Sequence, residues 1–277
     1  MAITAADVNK LRQETGAGMM DCKKALTEAD GDFEKAKEIL RKQGQKIADK
    51  RADNTTAEGV VLANVSDDGK TGKIIALACE TEPVSKVADF QNLATAVMDA
   101  AVKTGATDKS GLLATPQADG RTLQDHITDL MGKIGEKIDV ASFETVTADK
   151  VVSYIHSNGK LGVLVGLSNT NGTDVTEVGK DVAMQIAAMK PVALDKDGVD
   201  ATIVEREIEI GKEQARQEGK PEAMLEKIAL GKLNKFYKEN TLLNQEFVKD
   251  NSMTIAQLLD KTSKGLTVSA FKRVVIG

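Results

Sequence analysis

The strongest constraint on this chain is that part of it occurs twice. VVLANVSDDGKTGKIIALA begins at Val60, and VVSYIHSNGKLGVLVGLS begins at Val151, with matching apolar and turn positions. In the first copy residues 60–65 form a β-branched run, Asp67, Asp68 and Gly69 supply a turn, and 73–79 form a second run. In the second copy 151–156 is a strand, Asn158-Gly159 is a two-residue hairpin turn, and 162–168 is the return strand. Each hairpin leads to an amphipathic helix. Phe90, Leu93, Ala94, Val97 and Ala101 share a face of the first; Val182, Ile186 and Met189 face inward on the second, which Pro191 ends. A repeated strand–strand–helix unit implies an α+β fold with a core of two similar subdomains. The first covers 57–147 and includes a helix near 123–133 and a strand near 140–146. The second starts over 148–200 and is completed by 241–277, with a short helix near 255–259 and a last strand near 267–276 that rejoins a sheet.

The segment before the repeat follows helical rules. Thr4 and Asp7 have the spacing of a capping box, with Ile3 and Val8 at the staple positions. Val8 and Leu11 give an apolar face, and Gly16 stops the helix because glycine takes a left-handed cap without strain. Gly18 keeps the turn close. Cys22, Ala25, Leu26 and Ala29 then face inward, and Met19 shares that face by spacing. Met20 falls off it, beside Lys23 and Lys24, either as a partner contact or as a cover for the turn. Asp32 caps a third helix with Phe33, Ala36, Ile39 and Leu40 inward and Gly44 as its stop. Residues 1–44 thus read as a three-helix bundle and 45–56 as a linker whose Lys46, Lys50 and Arg51 are solvated. Residues 201–240 carry a narrow apolar stripe broken at Gly219 and Pro221, as in an antiparallel coiled-coil hairpin.

Composition narrows the chemistry. A net charge of -5 argues against a nucleic-acid binder, and 3% aromatic residues leave few base-stacking platforms. No apolar run reaches membrane-spanning length, and the N-terminus has no basic-then-apolar signal. The two cysteines, Cys22 and Cys79, lie in apolar patterns and read as buried thiols of a reducing compartment, with the cytoplasm as the default. His126 and His156 lack metal or triad spacing. Gly69-Lys70-Thr71 would end a P-loop, but Asn64 stands where its first glycine belongs. No catalytic residue, metal ligand or cofactor site is expected. One corner stands out: Glu80-Thr81-Glu82-Pro83-Val84, stiffened by Pro83, reads either as a rigid strand-to-helix corner or as a presented probe.

Together these motifs resemble a known family. TGAGMMDCKKAL at 15–26 and GDFEKAKEILRKQG at 31–44 are similar to the N-terminal module of bacterial elongation factor Ts. That module resembles ubiquitin-associated (UBA-like) domains. CETEPVSK at 79–86, GKDVAMQIAAMKP at 179–191 and KFYKENTLLNQEFVKD at 235–250 extend the resemblance over essentially the whole chain.

The resemblance implies a non-enzymatic guanine-nucleotide exchange factor that binds elongation factor Tu, GDP-bound or nucleotide-free, helps dislodge Mg2+ and promotes GDP release. It implies partner contacts from Leu11, Gly16, Met19, Met20 and Gln185, and a magnesium-dislodging loop at Thr81, Glu82, Pro83 and Val84. The family's loop reads Thr-Asp-Phe-Val. Here the acid is one methylene longer and proline replaces phenylalanine, so the aromatic wedge is absent. Pro83 as a smaller rigid block, or Phe90 and the methionine turn, would carry the contact instead. One copy per partner and a homodimer of the complex both remain open. An adaptor with a recognition module and no exchange activity is the alternative function.

Overall fold

The computed structural model describes residues 3–277. The N-terminal module comprises α1 (Ala5–Thr15), α2 (Met19–Glu28) and α3 (Phe33–Lys50). Its capping box forms as its sequence requires: the Asp7 amide donates to the Thr4 hydroxyl, and the Thr4 amide donates to the Asp7 carboxylate at 2.9 Å. Val8, Leu11, Cys22, Ala25, Leu26 and Ala36 make its core, with Ile3, Phe33, Ile39 and Leu40 packed around it.

The core is a sandwich of two three-stranded antiparallel sheets. β1 (Glu58–Val65), β2 (Thr71–Cys79) and β3 (Ile138–Thr147) lie in that order in one; β4 (Lys150–Ile155), β5 (Leu161–Ser168) and β8 (Thr267–Val275) form the other. The structure confirms the repeat but relates the copies by 90 residues, one fewer than their starts at Val60 and Val151 give. Val61 pairs with Ala76 and Val151 with Gly166, each residue of the second pair lying 90 positions after its counterpart. Both middle strands are bulged at the same step, Ala76/Leu77 and Gly166/Leu167. The two hairpins also clasp each other reciprocally. The Val61 amide donates to the Gly159 carbonyl at 2.8 Å, and the Val151 amide to the Gly69 carbonyl at 2.7 Å.

Both middle strands are buried on both faces, so their apolar runs are nearly continuous. On β2, Ile74, Ala76 and Ala78 face the other sheet, where they meet Val151, Leu164 and Val274. Ile75, Leu77 and Cys79 face the helices α4 (Glu82–Lys86), α5 (Ala88–Lys103), α6 (Lys109–Leu113) and α7 (Leu123–Ile134). On β5, Val163, Val165 and Leu167 pack on α8 (Thr176–Met189) and α11 (Ile255–Thr262). The result is helix, sheet, sheet, helix. A small hairpin, β6 (Glu246–Phe247) and β7 (Asp250–Thr254), precedes α11. α9 (Ala201–Gln217) and α10 (Glu222–Asn240) form an antiparallel helical hairpin, with Ala215, Leu225, Ala229 and Leu233 buried.

Gly44 does not stop α3, and residues 45–50 are helix rather than linker. An interior glycine costs a helix about 1 kcal/mol relative to alanine. Here it permits a close crossing. A Cβ on Gly132 of α7 would lie 2.8 Å from the Gly44 Cα, and one on Gly44 would lie 3.2 Å from the Thr128 carbonyl oxygen. The charges of that segment are not all solvated either, since Arg51 reaches Glu80 at 2.9 Å. Met189, expected to face inward, is exposed at the end of α8.

The inter-sheet contact has no spare volume at Gly162. A Cβ there would lie 2.7 Å from Val61 Cγ1 and 2.8 Å from both Ile74 Cδ1 and Ile155 Cδ1. Overpacking a tight core costs about 1–3 kcal/mol. Gly162→Val is therefore expected to lower the denaturant midpoint. Gly231→Ala on α10, where nothing lies within 4 Å, is expected to raise it slightly. Equilibrium unfolding of the two variants checks the contrast.

Candidate functional site

The turn between α1 and α2 is built to hold its shape. Gly16 takes the left-handed cap conformation (φ 68°), and its amide donates to the Arg12 carbonyl at 2.7 Å. The Thr15 hydroxyl donates to the Leu11 carbonyl at 2.7 Å, and the Cys22 amide closes on the Gly18 carbonyl at 2.9 Å. Leu11 is fully buried, so it supports the turn from below and is not a contact surface. Met20 is 65% exposed. Met19 is 49% exposed, which corrects the inward face expected from its spacing to Cys22. The physical reason is its place at the first residue of α2, where the chain has just left α1. Two polarisable, flexible side chains thus stand side by side as an exposed apolar patch.

The 81–84 stretch is the start of α4 rather than a bare loop. Thr81 occupies the N-cap position and Pro83 sits in the first turn, where a missing backbone N–H loses no helical bond. Thr81, Glu82 and Pro83 are exposed, and Val84 packs on the core of the first subdomain. Glu136, just beyond α7, anchors the stretch: its carboxylate accepts from the Thr81 amide at 3.0 Å and from the Thr81 hydroxyl at 2.7 Å. Phe90 is fully buried in the same core. It cannot stand in for an exposed aromatic wedge, and that expectation is overturned.

Both exposed elements are anchored at the C-terminal end of α7, the turn at Lys133 and the 81–84 stretch at Glu136. Lys133 passes within 2.9 Å of where a Gly16 Cβ would be, and its Nζ pairs with Asp89 of α5 at 2.6 Å. Glu80, next to Thr81, accepts hydrogen bonds from the Arg51 guanidinium (2.9 Å), the Asn54 amide (3.0 Å) and the Lys137 backbone N–H (2.6 Å). Lys137 in turn donates to the carbonyls of Ala52 and Asn54. One carboxylate thus ties together the end of α3, the base of the 81–84 stretch and the turn after α7. Partial burial pushes the Glu80 carboxyl up, but the bonds from Lys137, Arg51 and Asn54 outweigh it and hold the group below the usual glutamate value of 4.5. The sequence reading has Glu80 only as the start of the 80–84 corner and Arg51 only as a solvated linker charge, and it does not single out Gly132 or Glu136. The one available signal was a lone glycine inside a helical pattern, which can mark close packing as well as a stop.

Gln185 lies elsewhere. It is fully buried on α8, with its amide donating to the Gln245 side chain and the Glu246 carbonyl at 3.1 Å, and its oxygen accepting from the Val248 amide at 2.9 Å. It does not face outward as expected; it fixes the β6–β7 turn, where Val248 is exposed.

Among the described residues no group of three or more His, Cys, Asp or Glu is placed to hold a metal ion, and no helix is long and apolar enough to cross a membrane. Cys22 and Cys79 are free and buried; burial pushes the Cys79 thiol up to about 11, far from a reactive thiolate. His126 pairs with Asp119 at 3.2 Å, and His156 with the Tyr154 hydroxyl at 2.8 Å. What the surface offers is contact.

Comparison with known proteins gives that contact a context. The profile of the family described as Elongation factor TS matches residues 80–277. The chain is 69% identical over 272 residues to Elongation factor Ts of Cytophaga hutchinsonii, covering 98% of each chain. The chain belongs to the elongation factor Ts family. Elongation factor Ts of Amoebophilus asiaticus is 56% identical over the full length of both chains, and that of Christiangramia forsetii is 48% identical over 99% of each. The family is one of translation elongation factors. Its profile starts at Glu80, so the methionine turn lies outside the matched region while the similarity to the relatives includes it.

The Glu80 node makes the joint acid-sensitive. Because its folded value lies below 4.5, its stabilisation is fully present above that pH and is lost as pH falls through the folded value. Hydrogen bonds to a charged group contribute about 1.5–3 kcal/mol. Glu80→Gln at neutral pH is therefore expected to lower the protection factor of the Lys137 amide about tenfold or more, and acidification through the folded value should lower it in the unaltered chain once the slower intrinsic exchange at low pH is divided out. Amide exchange followed by NMR checks this.

Proposed function

We propose that this chain is a guanine-nucleotide exchange factor for elongation factor Tu, acting in the cytoplasm during translation elongation without covalent chemistry. The observation that carries the reading is the pairing of two exposed contact elements, the methionine turn and the 81–84 stretch, at one end of a member of the elongation factor Ts family. Residues 1–44 act as a UBA-like docking module whose Met19 and Met20 seat on the partner's GTPase domain. Leu11 and Gly16 shape that turn. Glu82 and Pro83 press toward the partner's magnesium site, with the proline ring as a compact block in place of an aromatic wedge. Gln185 acts through the β6–β7 turn it holds, presenting Val248 rather than itself. Residues 201–240 serve as a coiled-coil arm.

Exchange on this reading is a linkage effect. A factor that prefers the nucleotide-free partner to the GDP-bound one must weaken nucleotide binding by the same ratio. Displacing the magnesium ion removes the largest positive charge holding the phosphates. Neither step needs an acid, a base or a nucleophile from this chain.

Adding the protein is expected to accelerate release of labelled GDP from elongation factor Tu. Truncating an exposed interface anchor costs about 1–2 kcal/mol, so Met20→Ala and Glu82→Ala should each slow exchange about 5–30-fold while circular dichroism stays unchanged. A release rate that does not respond to the protein rejects the assignment. Equal affinity for the GDP-loaded and empty partner would make the chain an adaptor instead.

A further inference from the structure

We propose that Gly132, through its backbone contact with Gly44, is a positioning residue that fixes where the methionine turn stands relative to the 81–84 stretch. The functional half of this proposal rests on the exchange reading; the mechanical half does not.

Four observations carry it. First, the last helix of the module runs on beyond its core before the chain turns at 51–57. α3 continues as helix from the module core, through Gly44, to Lys50. Second, α3 and α7 approach to backbone contact only because both residues lack a side chain. The space at Gly132 is closed by main chain, the Gly44 Cα at 2.8 Å and its amide nitrogen at 3.6 Å from a would-be Cβ, and main chain cannot swing aside as a side chain would. Third, the contact beside this crossing is not filled. A cleft of about 590 Å³ separates the module from α7, bordered by Glu14, Arg41, Arg121 and Asp129. α3 packs along α7, with Ala48 against the first-subdomain core, and the glycine crossing is where their main chains come closest. Fourth, the same α3 is clamped again at its end by Arg51 on Glu80, the residue from which the 81–84 stretch departs. A pivot at Gly44 and a clamp at Arg51 fix a helix at two points, and fix with it the turn carried at its other end.

A methyl group on Gly132 must push the helices apart. It would also favour the helical state of α7 by about 1 kcal/mol, since alanine is the better helix former. Positioning and folding are thereby separable: a residue that only supports folding would not lose activity while its helix gains propensity.

The test uses the full chain. Spin labels are placed through Lys24→Cys on α2 and Lys103→Cys on α5, both exposed, while native Cys22 and Cys79 are buried. The unaltered joint is expected to give one narrow distance population, and Gly132→Ala to shift it. The same substitution should slow labelled-GDP release from elongation factor Tu at least about fivefold while circular dichroism stays unchanged. In a Met20→Ala background it should add no further loss, because the contact it positions is already gone. Gly44→Ala, which meets the Thr128 carbonyl at 3.2 Å, is the milder second variant should Gly132→Ala fail to fold. A broad native distribution, or an unshifted one in the variants, overturns the rigid joint. A shifted joint with unchanged exchange, or a fully additive loss with Met20→Ala, overturns the positioning role. Absence of exchange by the unaltered chain rejects the exchange reading alone, and the spin-label distances still decide the joint.

Discussion

Everything in this fold is placed, directly or through intermediates, by the face on which the two sheets meet. That face is made of small and β-branched side chains, with Gly162 and Gly166 leaving room for Val61, Ile74 and Val146 to reach across. The reciprocal main-chain bonds between Val61 and Gly159, and between Val151 and Gly69, contribute only about 1 kcal/mol each. Their larger effect is on register, because a one-residue slip in either hairpin would break them and turn buried faces outward. With the sheets fixed, α7 is fixed on the outer face of the first. α7 then receives α3 at the glycine crossing, and α3 carries the methionine turn.

What could be read from the chain, and what could not, divides along sequence distance. The capping boxes at Thr4 and Asp7, and at Thr254 and Gln257, depend on residues three apart and form as their spacing requires. The doubled hairpin depends on a few turn residues and on apolar runs within each copy, and even its bulges recur. Gly44 was misread because its partner Gly132 lies far along the chain, and nothing in the local pattern separates a stop from a crossing. Gln185 enters only as a partner contact that the resemblance implies, and its burial is not legible locally because its hydrogen-bond partners stand some 60 residues downstream. Met19 shows the converse. Its spacing to Cys22 was right, but a helix face is buried only where another element covers it.

On the proposed reading, the stiffness of the joint bears on selectivity more than on strength of binding. Two contacts joined by a flexible tether gain affinity through effective concentration, and they gain it for any partner conformation that the tether can span. Such a molecule would hold the GDP-bound and empty partner nearly alike, and a ligand with equal affinity for two states shifts neither. Two contacts held at one spacing behave differently. Both engage fully only when the partner presents its two surfaces at that spacing, so a mismatch forfeits one contact or strains the frame. At about 1.4 kcal/mol per factor of ten, one forfeited contact of ordinary size is enough to bias the partner between its states. The side chains missing at Gly44 and Gly132 thus offer the chain something that another apolar contact would not, a fixed distance against which the partner's shape is measured.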